Sequence, residues 1–194
     1  CIFVNIKKRQ FMNWETYVKE FDTILKSENP SSPYDDADYL DYTKLNNARL
    51  KRWLKTAVLS DETKSTLDAI KEPQEWVLIT EPWCGDAAHI APIVYLMSNL
   101  NNHIKLTIQL RDTNSEIDKY LTNGGKSIPI LIVRDKSGKD IFHWGPRPKN
   151  AQELFNALKE KNASFEEQKE AVQVFYNNEK AESIQNVVVA KIRE

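Results

Sequence analysis

Trp83-Cys84-Gly85-Asp86-Ala87 holds the residue in this chain best placed for nucleophilic chemistry. Upstream, Trp76-Val77-Leu78-Ile79-Thr80 is an apolar, β-branched run of strand type. Downstream, Ala87 to Leu100 is a mostly apolar helical stretch with faces such as Ala87, Ala91, Val94, Tyr95 and Ser98. Cys84 therefore falls where a strand hands over to a helix. A thiolate there meets unpaired N–H groups and the positive helix end, which lower a cysteine pKa and favour attack on a disulfide. Exchange by a pair of thiols would put a second cysteine three residues on, and Ala87 stands there instead. A single thiolate can still form a mixed disulfide, but a second thiol must release it. That thiol would come from glutathione, from a partner, or from Cys1, whose Cα would have to approach within about 7 Å. Asp86 pulls two ways: it suits the positive helix end, yet a carboxylate beside the thiol disfavours the anion. The plainer reading is an inert small thiol on a fold kept for binding.

The other chemistry-bearing residues give weaker signals. His89 follows Cys84 by five positions, so its side chain is expected to point elsewhere. His143 precedes Trp144 and could neighbour the site, a surface strand position being the plainer reading. His103 reads as loop. Asn46, Arg49 and Arg52 share one side of a helix. Arg49 could face the thiol and stabilise its anion, against the plainer reading of a solvated face. No two histidines or carboxylates have convincing metal-ligand spacing, so no metal is expected.

These residues need a scaffold, and the pattern supplies one. Trp14, Tyr17, Val18, Phe21 and Leu25 fall on one helical face behind Asn13, a plausible N-cap. Asn29-Pro30 and Ser32-Pro33 break the chain. A second helix is expected from about Tyr39 to Leu59, and a short third opens at Ser60-Asp61-Glu62 and ends by Pro73. Ile104, Leu106, Ile108 and Leu110 alternate as in a strand. Asn114 should cap a short helix through about Leu121, and Asn123-Gly124-Gly125 is a loop. Ile128 to Val133 is a second apolar run. Asp135-Lys136-Ser137-Gly138 reads as a tight turn, pairing it antiparallel with a strand over Lys139 to Trp144. A helix carrying Leu154, Phe155 and Leu158 follows. Ser164-Phe165-Glu166-Glu167 is a capping box, with a helix break expected at Asn177-Asn178 and a last amphipathic segment through Ile192. The order is β-α-β-α-β-β-α, a small α/β sheet with helices on both faces.

Composition narrows the classes. The chain has 194 residues, enough for one ordinary domain with extensions, and its 41 % apolar and 28 % charged residues fit a soluble globular protein. A net charge of -1 argues against a broad nucleic-acid surface, and Lys7-Lys8-Arg9 reads as a solvated terminus. No stretch is long and apolar enough to span a bilayer. Two cysteines exclude a disulfide-rich scaffold and a multi-Cys zinc site, so a reduced, cytoplasmic setting is expected. The first residue is Cys1, and bacterial lipoproteins begin their mature chain with a lipidated cysteine, so anchoring through Cys1 is the alternative. A plainer reading takes Met12, just before the first helix, as a natural first residue.

The element order, with Trp-Cys-Gly at the first strand–helix junction, resembles the thioredoxin superfamily. Pro92, eight residues after Cys84, stands where the family kinks its active-site helix. Ile128-Pro129 stands where the family has its cis-proline, and Trp144-Gly145 where it has a glycine beside the substrate groove. Trp83-Cys84-Gly85-Asp86 resembles a bacterial branch of that family. The resemblance covers residues 74–162 as a thioredoxin-like domain, with 1–73 an N-terminal helical extension and 163–194 a C-terminal one packed on the core. It departs at Ala87 (the resolving cysteine), at Asp86 (usually proline), at Leu78 (the buried proton-relay aspartate) and near Ile108 (that aspartate's lysine partner). The resemblance implies a thioredoxin-like protein acting as a monothiol-type thiol–disulfide oxidoreductase on protein or glutathione disulfides, with glutathione as co-substrate and no bound cofactor. Cys84 would be the nucleophile. Trp83, Gly85, Asp86, Ile128, Pro129, Trp144 and Gly145 would bind substrate, with Trp83, Ile128 and Trp144 as an apolar rim. The alternative is a non-catalytic binding module using the cis-proline groove. A glutathione-dependent iron–sulfur carrier is a third, weaker idea, since Phe-Ser does not follow Cys84-Gly85.

Overall fold

The computed structural model describes residues 11–194. Cys1 and the Lys7-Lys8-Arg9 run lie outside the described residues. Three helices come first: α1 (Trp14–Lys26), α2 (Ala37–Thr56) and α3 (Asp61–Asp68). The alternating region follows as β1 (Gln74–Thr80), α4 (Ala87–Ser98), β2 (Ile104–Leu110), a 3-10 helix (Ile117–Lys119), β3 (Ile130–Arg134), β4 (Asp140–Trp144) and α5 (Lys149–Glu160). Two helices, α6 (Phe165–Glu179) and α7 (Glu182–Arg193), close the chain. Among these residues no helix is long and apolar enough to cross a membrane.

The sheet is mixed, in the order β2-β1-β3-β4. β1 runs parallel to β2, as a helical crossover requires, while β3 pairs antiparallel with both β1 and β4. The β3–β4 hairpin closes on the expected turn, where Gly138 takes φ +81 and Asp135 Oδ1 accepts from the N–H groups of Ser137 and Lys139. From Trp76 to Thr80 both faces of β1 are fully buried, which explains the apolar run there.

The two sheet faces carry unequal loads. One face presents Trp76, Leu78, Ile108, Leu131, Val133 and Trp144. All seven α-helices among the described residues bury apolar side chains in that cluster, from Trp14, Tyr17 and Phe21 of α1 to Ile184 and Val188 of α7. The opposite face, with Val77, Ile79, Ile130 and Ile132, is covered by Ile117, Tyr120 and Ile128 from the 3-10 helix and its flanking loops. There the expected helix from Asn114 to Leu121 shrinks to one 3-10 turn. Asn114 sits at φ +60, a left-handed conformation that cannot cap and continue a helix. An ion cluster completes this face: buried Arg134 holds buried Glu116 at 3.0 Å and exposed Asp140 at 2.8 Å.

One boundary moves at the C-terminal end. α6 runs through Asn177-Asn178, and the break falls at Lys180 (φ 52) and Ala181 (φ 68), both left-handed. The capping box at Ser164 and Glu167 forms with both reciprocal bonds. Asn13 caps α1 by accepting from Thr16 N–H at 2.8 Å.

Candidate functional site

Cys84 sits at the end of the β1–α4 turn, where its N–H donates to the Glu81 carbonyl and its own carbonyl accepts the first α4 bond from Ala88. The residue is only 7 % exposed. Its Sγ–H donates to the Ile128 carbonyl at 3.5 Å, a bond that only the protonated thiol can make. The helix end does act on the sulfur: the N–H groups of Ala87 and Asp86 and the Arg147 guanidinium all favour the thiolate. Burial opposes them, Asp86 adds its repulsion, and the thiol is pushed up to about 12. The expected lowering of the cysteine pKa is thus outweighed, because leaving water costs an anion more than one helix end returns.

Asp86 occupies the N-cap position of α4 yet makes no side-chain cap bond. Its carboxylate turns to Arg147, in the segment between β4 and α5, which grips both oxygens with Nε at 2.9 Å and adds Nη2 at 2.8 Å. Tyr176 of α6 donates its hydroxyl to Asp86 Oδ1 at 2.9 Å. Burial and the Asp86 charge hold that phenol well above its usual range. Phe155 of α5 lies under the guanidinium, 4.4 Å from its carbon to the ring centre. One motif carboxylate therefore ties together α4, the β4–α5 segment and α6.

His89 is fully buried and points away from the thiol, toward Trp53, Gln173 and Tyr176. Trp53 Nε1 can only donate, and it lies 2.9 Å from His89 Nδ1. Nδ1 is therefore the acceptor, and Nε2 carries the proton, 2.6 Å from Gln173 Oε1. Burial pushes the histidine down to about 3, so it is neutral at physiological pH.

A cleft of about 380 Å³ opens over Cys84. Trp83, Gly85, Asp86 and Ile128 line it. At Gly85 an added Cβ would meet the Tyr42 hydroxyl at 2.5 Å, so a side chain there would push the Tyr42 ring aside. The Ile128–Pro129 bond is cis. Pro129 and Gly145 stand behind the cleft, not along it. Gly145, at φ +144, is so close to the Pro129 carbonyl that any side chain would collide with it. Trp144 is not a rim residue. It pairs across the hairpin with Leu131, whose side points into the helix-covered core, and is 9 % exposed. Strand alternation sends Trp144 to that face and leaves exposed His143 on the other, beside Tyr120.

The rest of the wall comes from residues the motif reading missed. Tyr39 and Tyr42 come from α2, and Phe165, Lys169 and Gln173 from α6. Their spacings, three and four residues, put each group on one helix face, which is the sequence signal available for them. Lys169 Nζ lies 4.5 Å from the Tyr42 ring centre and pairs with Glu166 at 2.7 Å. Arg111 stacks on Trp83 at 4.6 Å. Arg49 does not serve the thiol: it donates to Asn46 Oδ1, while Asn46 holds the Pro82 carbonyl. Arg52 reaches Asn177 at 2.6 Å. His103 is an exposed residue between α4 and β2. Among the described residues no three metal-ligating side chains converge.

This geometry, a strand–turn–helix carrying one cysteine beside a cis X–Pro bond on a β2-β1-β3-β4 sheet, defines a thioredoxin-like protein. The thioredoxin family profile matches residues 32–163, and the chain belongs to that family. The match starts within the helices before β1. No curated protein matches the chain. Among solved structures it is similar to a protein of unknown function from Pseudomonas aeruginosa, at 15 % identity and TM-score 0.59, covering 93 % of this chain and 91 % of that one. It is also similar to an HIV epitope scaffold, at 14 % identity and TM-score 0.57, covering 94 % and 98 %. At these identities the likeness is one of fold.

Proposed function

We propose that this protein is a thioredoxin-fold binding module that uses the cleft over Cys84 to seat a ligand, and does not turn over dithiols. One observation carries the reading: the thiol is buried, donates to the Ile128 carbonyl and is pushed up to about 12. At neutral pH a thiol with that value is almost wholly protonated, and the thiolate is the nucleophile. Ala87, fully buried one turn on, supplies no resolving sulfur. Asp86 supports the same view: it is held by Arg147 and Tyr176, and its charge disfavours the thiolate.

A monothiol oxidoreductase is the second reading, favoured by the Ala87 and Asp86 N–H groups on the sulfur. In it, Cys84 thiolate would break a substrate disulfide, forming a mixed disulfide and releasing one thiolate. Glutathione thiolate would then attack the substrate sulfur of the mixed disulfide, releasing Cys84 as thiolate and leaving a glutathione–substrate disulfide. The rate of iodoacetamide alkylation of Cys84 against pH separates the two. Binding predicts a rate at pH 7.5 at least tenfold below that of free cysteine, and no mixed disulfide with glutathione disulfide. A faster rate than free cysteine, lost in Cys84→Ser, establishes monothiol chemistry instead.

A further inference from the structure

The cleft is equipped with oriented donors, and the orientation is set from behind. Trp53 can only donate, so His89 Nδ1 accepts and His89 Nε2–H donates to Gln173 Oε1. That fixes the carboxamide of Gln173 one way round. Its oxygen faces His89, and among the described residues its NH₂ group makes no hydrogen bond to protein. Gln173 lines the cleft. Lys169 lines it one helical turn earlier, with its ammonium over the Tyr42 and Phe165 rings at 4.5 and 5.2 Å. The partner of that ammonium is Glu166, whose side chain is 79 % exposed. Such an exposed pair is weak and exchanges readily for a better acceptor. Along the same walls, Asp86 is already held by Arg147 and Tyr176, and Asp38 sits on the exposed rim. The other polar groups lining the cleft are Ser127 and two committed cations, Arg147 on Asp86 and Arg111 on the Trp83 ring.

We infer that the cleft binds a small aromatic molecule carrying a carboxylate or similar oxyanion. The ring system lies among Tyr42, Trp83 and Phe165, and the anion accepts from Gln173 Nε2 and Lys169 Nζ. This rests on the reading of the cleft as a binding site and adds the class of ligand. The volume of about 380 Å³ admits a drug-sized molecule of that kind. His89 is a positioning residue in this scheme: it touches no ligand and holds Gln173 so that donors, not an acceptor, face the cleft.

The test uses two fluorescent probes with the same apolar body, 8-anilinonaphthalene-1-sulfonate and neutral N-phenyl-1-naphthylamine. Both are titrated into the full chain and into Gln173→Glu and Lys169→Gln. Gln173→Glu keeps an acceptor for His89 Nε2–H and replaces the donor with a negative charge, so the fold is retained. The sulfonate should bind one site at least tenfold more tightly than the neutral probe. Gln173→Glu should weaken the sulfonate at least tenfold and leave the neutral probe unchanged, with Lys169→Gln giving a smaller loss of the same kind. Equal binding of the two probes, or a sulfonate indifferent to Gln173→Glu, overturns the oxyanion inference and leaves the binding reading standing. If neither probe binds, both readings fall.

Discussion

Asp86 shows how far one side chain can reorganise a familiar turn. An aspartate at a helix N-cap ordinarily accepts from the N–H groups of its own first turn. This one makes a bidentate pair with Arg147 and accepts from Tyr176. The pair is largely desolvated, the two side chains being 20 % and 10 % exposed. Removing one partner would leave the other charge buried and unpaired, which costs about 3–5 kcal/mol. Arg147→Ala should therefore destabilise by about 3 kcal/mol in urea unfolding, and Arg147→Lys by less, because a lysine keeps the charge but loses the fork. Arg147→Ala should also slow alkylation of Cys84 further, since the guanidinium is one of the groups favouring the thiolate. The sequence showed Asp86 and its two opposed effects. It did not show Arg147 or Tyr176, because partners 61 and 90 residues away leave no local pattern. The place of Trp144 is hidden from the sequence for a related reason: the hairpin register, not residue type, decides which face it enters.

Elements were more legible where a local rule governs them. Asn13 and Ser164 cap as their chemistry dictates, and Gly138 turns the hairpin. Boundaries set by tertiary packing were not legible. Asn177-Asn178 reads as a breaker, yet α6 continues past it, because Tyr176 is anchored to Asp86 and Asn177 is held by Arg52. The chain then turns through two left-handed residues with side chains. Lys180 is exposed at φ 52, a conformation costing roughly 1 kcal/mol for an L residue and nearly nothing for glycine. Lys180→Gly should raise stability by about 0.5–1 kcal/mol, read as a higher denaturation midpoint with an unchanged slope. Lys180→Val should lower it. The extensions make a larger claim. If residues 74–162 are one domain carrying helical extensions, that fragment would expose the sheet face that α1, α2, α3, α6 and α7 cover. It should aggregate or unfold at markedly lower denaturant than the full chain.

At the scale of the whole molecule two buried groups shape the response to pH. Glu81 is 5 % exposed, accepts from the Asp112 N–H at 2.9 Å, and is raised by burial from 4.5 to about 7. Between those values the folded state binds the extra proton, so stability falls as pH rises and stays lower above pH 7. The full loss is about 3 kcal/mol at 1.36 kcal/mol per unit. His89 is depressed from 6.5 to about 3, so the unfolded state binds the extra proton and stability falls as pH drops through that range. From 4.5 to 6.5 the two slopes oppose each other, and these groups together produce a flat optimum there. Glu81→Gln keeps the acceptor for Asp112 and removes the alkaline loss. It should be more stable than the wild type at pH 8, by up to about 3 kcal/mol, and equal to it at pH 4. Equal stabilities at both pH values would show that Glu81 ionises freely in the folded chain. The carboxylate at position 86 has one more consequence, for descent. A thioredoxin with proline there offers Arg147 and Tyr176 nothing to hold, and a buried guanidinium without its anion is a burden to any chain that keeps it. Positions 86, 147 and 176 should therefore change together across related genomes. A lineage that exchanges Asp86 for proline should lose the arginine and the tyrosine soon afterwards, and with them its reason to keep α6 against the motif.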